Sequence, residues 1–359
     1  MQSLRIDCHN GGPIVYNSLL GNRMERLINL GFPINKAVRM INLFRKQLLQ
    51  DGLYPEYWHQ INESGLSIMI RTVGIFGDPP FSERCITEDL KLLNEVCELS
   101  GLHLIVDLST MRDCLSMEHH GYIPMVESIE GFRFNHDQLF HLCSTVLPIV
   151  QPVYNIGNFF GSGCYDIFDN GLSVVGQSML RAFSTFGTII DHSHISEKTA
   201  MDIIESGFDH NIATHTCSYS LTRNKRGKSD SFFRAMGEVD GFVAITVNPN
   251  LIAVEGLSIR DSFLINVEHI LNLVGEDKVG IGTDWDGPMP SCMVTGLKEE
   301  SRNLGNNNYS LDLQSNLYNQ MSDWNNLFYV LSERFGGKMA QKIAGINALK
   351  YFNSHLRKL

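Results

Sequence analysis

Short apolar runs of strand length alternate along the chain with longer segments whose apolar residues recur at helical spacing. The strand-like runs lie at residues 4–8, 66–73, 102–108, 123–130, 146–154, 188–191, 211–214, 241–247 and 278–283. Strands that alternate with helices are typical of a parallel sheet. The pattern predicts an α/β fold, a (β/α)8 TIM barrel with an extra strand and long loops at the carboxyl face, in a single domain over 1–359. A doubly wound open sheet is the alternative.

The central unit of this pattern spans residues 187–217. Its two apolar runs lead into His194 and His215, and Ser196 can cap the helix between them. Such a crossover makes the strands parallel neighbours, so both histidines reach the same carboxyl edge, which indicates a metal site. Strand alternation does not decide between His192 and His194, because the chain leaves regular strand geometry there. We assign His192 to packing or to support of the site.

Three further runs end in residues of metal-ligand type. The first run leads to His9, the run over 123–130 ends at Glu130 with Glu127 as its rival, and the last leads to Asp284. Nitrogen and carboxylate donors from separate strands suit zinc or a similar divalent ion. A metal of this kind lowers the pKa of a bound water, and Asp284 could take its proton. The sequence therefore predicts metal-assisted hydrolysis.

The charge balance bears on the partners of the chain. The 359 residues carry a net charge of −10, which argues against a nucleic-acid partner because such a partner demands a basic face. Basic residues concentrate at 223–228, directly after the His215 run. This cluster favours recognition of an anionic group at the site over a solvated loop or a chance localisation-like cluster.

Cysteine usage and hydropathy bear on location. The eight cysteines are scattered without a CxxC pair, which indicates free thiols in a reducing compartment. No unbroken apolar stretch has the length of a membrane span, and the first strand-like run begins at residue 4 without a secretory leader. We expect a cytoplasmic protein without a membrane partner.

Six motifs stand along the chain in a recognisable order. They are Ile-Asp-Cys-His-Asn at 6–10, Ile-Glu-Gly at 129–131, Gly-Leu-Ser-Val-Val-Gly at 171–176, Ile-Ile-Asp-His-Ser-His-Ile-Ser at 189–196, Thr-His-Thr-Cys-Ser-Tyr-Ser at 214–220 and Gly-Ile-Gly-Thr-Asp-Trp-Asp-Gly at 280–287. Together they resemble the renal (membrane) dipeptidase family of the amidohydrolase superfamily, most strongly over 170–287. The resemblance implies a barrel with two zinc ions that hydrolyses dipeptides, and a possible homodimer.

The resemblance also implies a role for each site residue. Glu130 would bridge both metals, and His194 and His215 would complete the second metal position. Asp284 would be the acid/base and a ligand of the first metal. Arg226 would bind the substrate's carboxylate, a task that suits a bidentate guanidinium.

The chain departs from the family pattern at three places. The family's first strand ends in His-x-Asp, with both residues on the first metal, whereas here Gly11 follows two residues after His9. Asn155 or a neighbour replaces the histidine that polarises the substrate carbonyl. The tyrosine that assists the arginine is absent near 249–251. Because one donor is lost, we expect one divalent ion per chain rather than two, and we expect that ion to be zinc.

Three hypotheses follow. The first is a metal-dependent amidohydrolase that acts on a small peptide-like amide or dipeptide with a free carboxylate. The second is a metalloenzyme of the same fold with non-hydrolytic chemistry, such as a lyase, an isomerase or a tailoring step, which loss of the polarising histidine would favour. The third is a barrel that binds a ligand without turnover, and retention of most ligand-type residues argues against it.

Overall fold

The computed structural model describes residues 4–10, 18–51, 55–75, 79–285 and 323–358. The strands are β1 Ile6–Asn10, β2 Ile68–Val73, β3 His103–Leu104, β4 Gly121–Val126, β5 Ile149–Val150, β6 Ile189–Asp191, β7 Asn211–Thr216, β8 Phe242–Ile245 and β9 Val279–Ile281. Each run that the sequence predicts as a strand overlaps one of them. Gly11 and the polar stretch of sequence at 287–322 lie outside the described residues.

Parallel pairing closes the sheet into a barrel. The first strand, β1, lies between β2 and β9, and β2 also pairs with β4, so the hydrogen-bonded circuit returns to its start through eight strands. The extra strand, β3, pairs with the first two residues of β4. The predicted TIM barrel with an extra strand is confirmed. Closure brings all the carboxyl ends to one face.

Helices fill every crossover between consecutive strands. They are Ser18–Asn29, Ile34–Gln50, Pro55–Ser64, Glu83–Ser100, Leu108–Ser116, His136–Thr145, Val174–Phe186, Glu197–Glu205, Tyr219–Thr222, Asp230–Glu238, Pro249–Ile252, Ile259–Val274, Trp324–Phe335, Gly337–Gln341 and Asn347–His355, with a π-helix at Lys342–Ile346. Ser196 caps the helix Glu197–Glu205 as predicted, since its side chain accepts from the backbone N–H of Thr199 at 3.1 Å.

The buried apolar residues form two clusters on the two faces of the sheet. One cluster takes alternate residues of successive strands, such as Ile6, Ile68 and Ile212, and fills the barrel. Tyr351 belongs to it and donates a hydrogen bond to the carbonyl of Asn211 at the start of β7, so the last helix covers the amino end. The other cluster lies between the strands and the surrounding helices. Polar chemistry is thereby confined to the carboxyl face.

Two further observations concern the described helices and cysteines. Among the described helices, none combines the length and the apolar character that a membrane crossing requires. The seven cysteines of the described ranges form no disulfide.

Gly282 provides a test of barrel packing. A Cβ at this position would lie 1.8 Å from the carbonyl oxygen of Thr214, which is backbone and cannot rotate away. We expect Gly282→Ala to destabilise the fold by about 1–3 kcal/mol, as overpacking does. The control is Gly21→Ala. A Cβ added at Gly21 would meet no neighbouring atom within 4 Å, and alanine favours the helix in which Gly21 lies, so stability should be unchanged or slightly raised. Urea unfolding midpoints measure both effects. Equal midpoints for the two variants would contradict the close contact between position 282 and the carbonyl of Thr214.

Candidate functional site

Polar side chains from five strand ends meet at the carboxyl face. They are His9, Glu127, His194, His215 and Asp284. Oxygen Oε1 of Glu127 lies 3.2 Å from Nε2 of His9. The same oxygen lies 3.7 Å from Nε2 of His194 and 3.8 Å from Nε2 of His215. The fold therefore brings four of the predicted ligand residues together around a buried carboxylate.

The carboxylate in this cluster is Glu127 and not Glu130, which corrects the sequence prediction. Strand β4 ends at Val126, so Glu127 is the first residue past the strand and remains 2% exposed. Glu130 lies three residues further along, with a side chain 48% exposed and 3.1 Å from Arg133. The sequence signal for Glu127 was its place directly after the apolar run.

Asn155 orients His194. Its Oδ1 lies 2.7 Å from Nδ1 of His194, and an amide oxygen can only accept, so Nδ1 carries the hydrogen. Nε2 of His194 then presents a lone pair toward Glu127. The structure thus places Asn155 beside the site as a partner of His194, in a backbone conformation with φ of 63°.

A relay of hydrogen bonds orients His215 in the same way. The hydroxyl of Thr214 donates to Oδ2 of Asp191 at 2.6 Å, so its oxygen can only accept from Nδ1 of His215 at 2.9 Å. Nε2 of His215 is therefore a lone pair as well. His192 lies elsewhere, bonded to Asn211 at 2.9 Å and packed against Phe232.

The Nε2 lone pairs of His194 and His215 face each other, and this arrangement fits a bound metal. Nε2 of His194 lies 2.9 Å from Nε2 of His215, and burial lowers the pKa of both rings well below the ordinary value, so neither carries a second proton. Two facing lone pairs beside the carboxylate of Glu127 repel one another. A divalent cation among them would remove that repulsion, and the donor set suits zinc.

The donors divide into two overlapping groups. Glu127, His194 and His215 form one, and His9, His215 and Asp284 form the other, with the ligand atoms of each group within 4.8 Å of one another. The described residues thus offer positions for one ion or for two neighbouring ions.

Asp284 stands at the rim of this cluster. Its Oδ1 lies 3.8 Å from Nε2 of His9, and its Oδ2 accepts from Nδ2 of Asn248 at 2.9 Å. Burial raises the pKa of Asp284, against the charge of His9 and the bond from Asn248. A raised pKa and a side chain still 22% exposed suit a group that exchanges protons.

Arg226 reaches the same face from the loop after β7. The residue is 4% exposed, and its guanidinium donates to the carbonyl of Ser193. Its charge acts on the carboxyl of Asp284. A cation so placed can attract an anionic group of a ligand in the cleft.

Two buried aspartates that the sequence analysis left without a role support the site. Asp191 accepts from the backbone N–H of Thr214 at 2.9 Å and from its hydroxyl at 2.6 Å. Asp7 accepts from the N–H of Thr283 at 2.8 Å and from its hydroxyl at 2.7 Å. Each threonine directly precedes a site residue. The repeated Ile-Asp at strand ends and the Thr-His and Thr-Asp pairs were the available signal.

Comparison with known proteins adds a family match. Residues 90–304 match the model of the membrane dipeptidase family, peptidase family M19. The match covers most of the barrel, from the helix after β2 past the end of β9.

Individual relatives agree with that match. The chain is 24% identical over 212 residues to an uncharacterized protein in the pqqA 5′ region of Klebsiella pneumoniae, covering 56% of this chain and 78% of that protein. It is 31% identical over 134 residues to dipeptidase tcpJ of Claviceps purpurea, covering 37% of this chain and 31% of that protein. The structure of a metallo peptidase from Rhodobacter sphaeroides, liganded with a phosphinate mimic of the dipeptide L-Ala-D-Ala, superposes with a TM-score of 0.70. That likeness covers 99% of this chain and 100% of the other at 14% identity, and shows the fold.

Substitution of the two glutamates tests the corrected position. We expect Glu127→Gln to weaken zinc binding by about a hundredfold or more. Loss of a residue that only hydrogen-bonds to a metal ligand costs less, ~10–100-fold. Glu130→Gln is the matched control and should bind zinc as the unaltered chain does, because its side chain faces solvent. Competition against a chromophoric chelator measures both. A greater loss in Glu130→Gln would restore the original assignment.

The pH dependence of metal binding tests the charge state of His9. Burial alone lowers the pKa of His9, but the carboxylate of Glu127 outweighs burial, and the pKa rises to about 9. Protonated His9 lies beside Glu127 and would repel a metal held there, so zinc affinity should increase with pH up to about pH 9, where His9 loses its charge, and then level off. Chelator competition at several pH values checks this. The same slope in His9→Gln would show that another group is responsible.

Proposed function

This chain belongs to the membrane dipeptidase family, and on that basis we propose that it is a metal-dependent hydrolase that cleaves a small peptide-like amide with a free carboxylate. The observation that carries the proposal is the convergence of the Nε2 lone pairs of His194 and His215 on the buried Oε1 of Glu127. Asp284 and Arg226, the groups needed to move a proton and to bind an anionic substrate, stand beside that point.

The proposed metal position uses Glu127, His194 and His215. Three protein donors leave an open coordination position, as catalytic zinc sites do. When bound, a zinc ion would acidify water and polarise the carbonyl of the scissile amide. One ion is favoured over two because Gly11 offers no side-chain donor at the first position.

The proposed proton carrier is Asp284. One of its oxygens is bonded to Asn248, which leaves Oδ1 directed at the metal-ligand cluster, 3.8 Å from Nε2 of His9. From there it would take a proton from the attacking water and deliver it to the nitrogen of the leaving amine. A carboxyl whose pKa is raised by burial is suited to both steps.

Two residues would hold the substrate. Arg226 would pair with the free carboxylate, because its buried guanidinium retains donors beyond the bond to Ser193. Asn155 commits its oxygen to His194, so the donors left on its side chain are the amide N–H groups. These would donate to the substrate carbonyl in place of the histidine that the family carries, which keeps hydrolysis ahead of the non-hydrolytic alternative.

Removal of the proton carrier tests the mechanism. We expect Asp284→Asn to lower kcat on any dipeptide that the unaltered enzyme cleaves by about 10²–10⁴-fold, the usual contribution of general acid–base catalysis. Zinc content should change little if the main ligands are Glu127, His194 and His215. The measurement combines steady-state kinetics on a dipeptide panel with metal analysis by mass spectrometry. Undiminished kcat in a zinc-loaded variant would rule out Asp284 as the proton carrier.

Metal stoichiometry tests the number of ions. We expect close to one tightly held zinc per chain after purification without chelator and supplementation with zinc, and loss of turnover on chelation. Two tightly held ions with ordinary dipeptide turnover would mean that another donor replaces the family's aspartate. No bound metal under any condition would contradict the hydrolase proposal.

A further inference from the structure

Three asparagines connect the loop that carries Arg226 with the carboxyl of Asp284. They are Asn224, Asn248 and Asn250, all half-buried, and we name them the asparagine bridge. None of them is a metal-ligand candidate. Asn250 lies within 249–251, where the tyrosine expected to assist the arginine is absent, and Asn248 directly precedes that region.

The first part of the bridge fixes Asp284. Asn248 donates from Nδ2 to Oδ2 of Asp284 at 2.9 Å. Its own Oδ1 accepts from the backbone N–H of Asn250 at 3.1 Å and from Nδ2 of Asn250 at 3.2 Å. Because the amide oxygen is held on that side, the N–H₂ group must point to the carboxylate. The orientation of Asn248 is therefore determined at both ends.

The second part fixes the Arg226 loop. The backbone carbonyl of Asn250 accepts from Nδ2 of Asn224 at 2.8 Å. Oδ1 of Asn224 in turn accepts from the backbone N–H of Arg226 at 2.9 Å. This side chain also uses its oxygen on one side and its nitrogen on the other, so it cannot turn without breaking a bond.

The bonds form one continuous chain from Asp284 to the backbone of Arg226. Asp284 and Arg226 carry opposite charges that attract each other across the cleft. A direct pair between them would occupy both groups and leave neither for a substrate. Here Asp284 is held by Asn248, and the guanidinium of Arg226 by the carbonyl of Ser193.

We propose that the asparagine bridge is a positioning device that sets the separation between the proton-transfer carboxyl and the carboxylate-binding arginine. The roles of Asp284 and Arg226 rest on the proposed function, whereas the mechanical connection between the two loops does not. Asn224, Asn248 and Asn250 act through Asp284 and Arg226 and touch no reacting atom.

The mechanical connection is tested by hydrogen–deuterium exchange of the zinc-loaded protein. We expect Asn248→Ala to increase amide exchange at 249–252, which it caps, and also at 223–228 in the other loop. A purely local capping role would alter 249–252 alone, and that result would overturn the bridge. Asn94→Ala is the matched control: Asn94 is also half-buried but lies on the helix Glu83–Ser100, where it donates to Glu98, so neither segment should change.

A second variant separates capping from positioning. Asn248→Asp retains an oxygen that can accept from the N–H of Asn250, but it has no donor for Asp284 and repels it. With a dipeptide that the unaltered enzyme cleaves, we expect both Asn248 variants to lower kcat by about ten- to a hundredfold. Small displacements of a catalytic group have effects of this size. Normal kcat in Asn248→Asp would contradict the role of the donor bond to Asp284.

The arginine end is tested by the split between kcat and KM. We expect Asn224→Ala to raise KM for a dipeptide about tenfold with kcat little changed, and to reduce the preference for the dipeptide over its C-terminal amide. An unchanged preference would contradict the role of Asn224. If the unaltered enzyme cleaves no dipeptide, the proposed function fails, and the exchange experiment still decides whether the bridge exists.

Discussion

Closure of the barrel depends on the buried carboxylate of Asp7, which joins the first strand to the chain after the last one. It accepts from the N–H and the hydroxyl of Thr283, from Nδ2 of Asn10 and from Nε1 of Trp324. Burial raises the pKa of this carboxyl, so its charge depends on those donors. A hydrogen bond to a charged group typically contributes about 1.5–3 kcal/mol, so each of these donors matters to stability. The same contact directs the next residue, Asp284, into the mouth of the barrel.

Asp191 repeats this arrangement on the opposite side of the mouth. It holds Thr214 by two hydrogen bonds, and Thr214 determines which nitrogen of His215 bears the hydrogen. The contacts that tie neighbouring strand ends together are therefore also the contacts that aim the site residues. Stability and site geometry share one set of hydrogen bonds, and the apolar filling of the barrel lies below them.

Hydrogen bonds fix the orientation of the His194 and His215 rings. Facing lone pairs on His194 and His215 would separate if the rings were free to turn. Asn155 and Thr214 prevent that rotation. Both Nε2 atoms are thus held toward one point, so a cation could bind there without rearrangement of the rings.

The sequence by itself indicated parallel strands alternating with helices, and ligand-type residues at several strand ends favoured a barrel over an open sheet. It also placed His9, His215 and Asp284 at one face, since residues just past parallel strands must emerge together. Tertiary structure alone decided between Glu127 and Glu130 and between His192 and His194. These residues lie just past the ends of their strands, where side chains no longer alternate between the two faces of the sheet. Only packing and hydrogen bonds then direct the side chains.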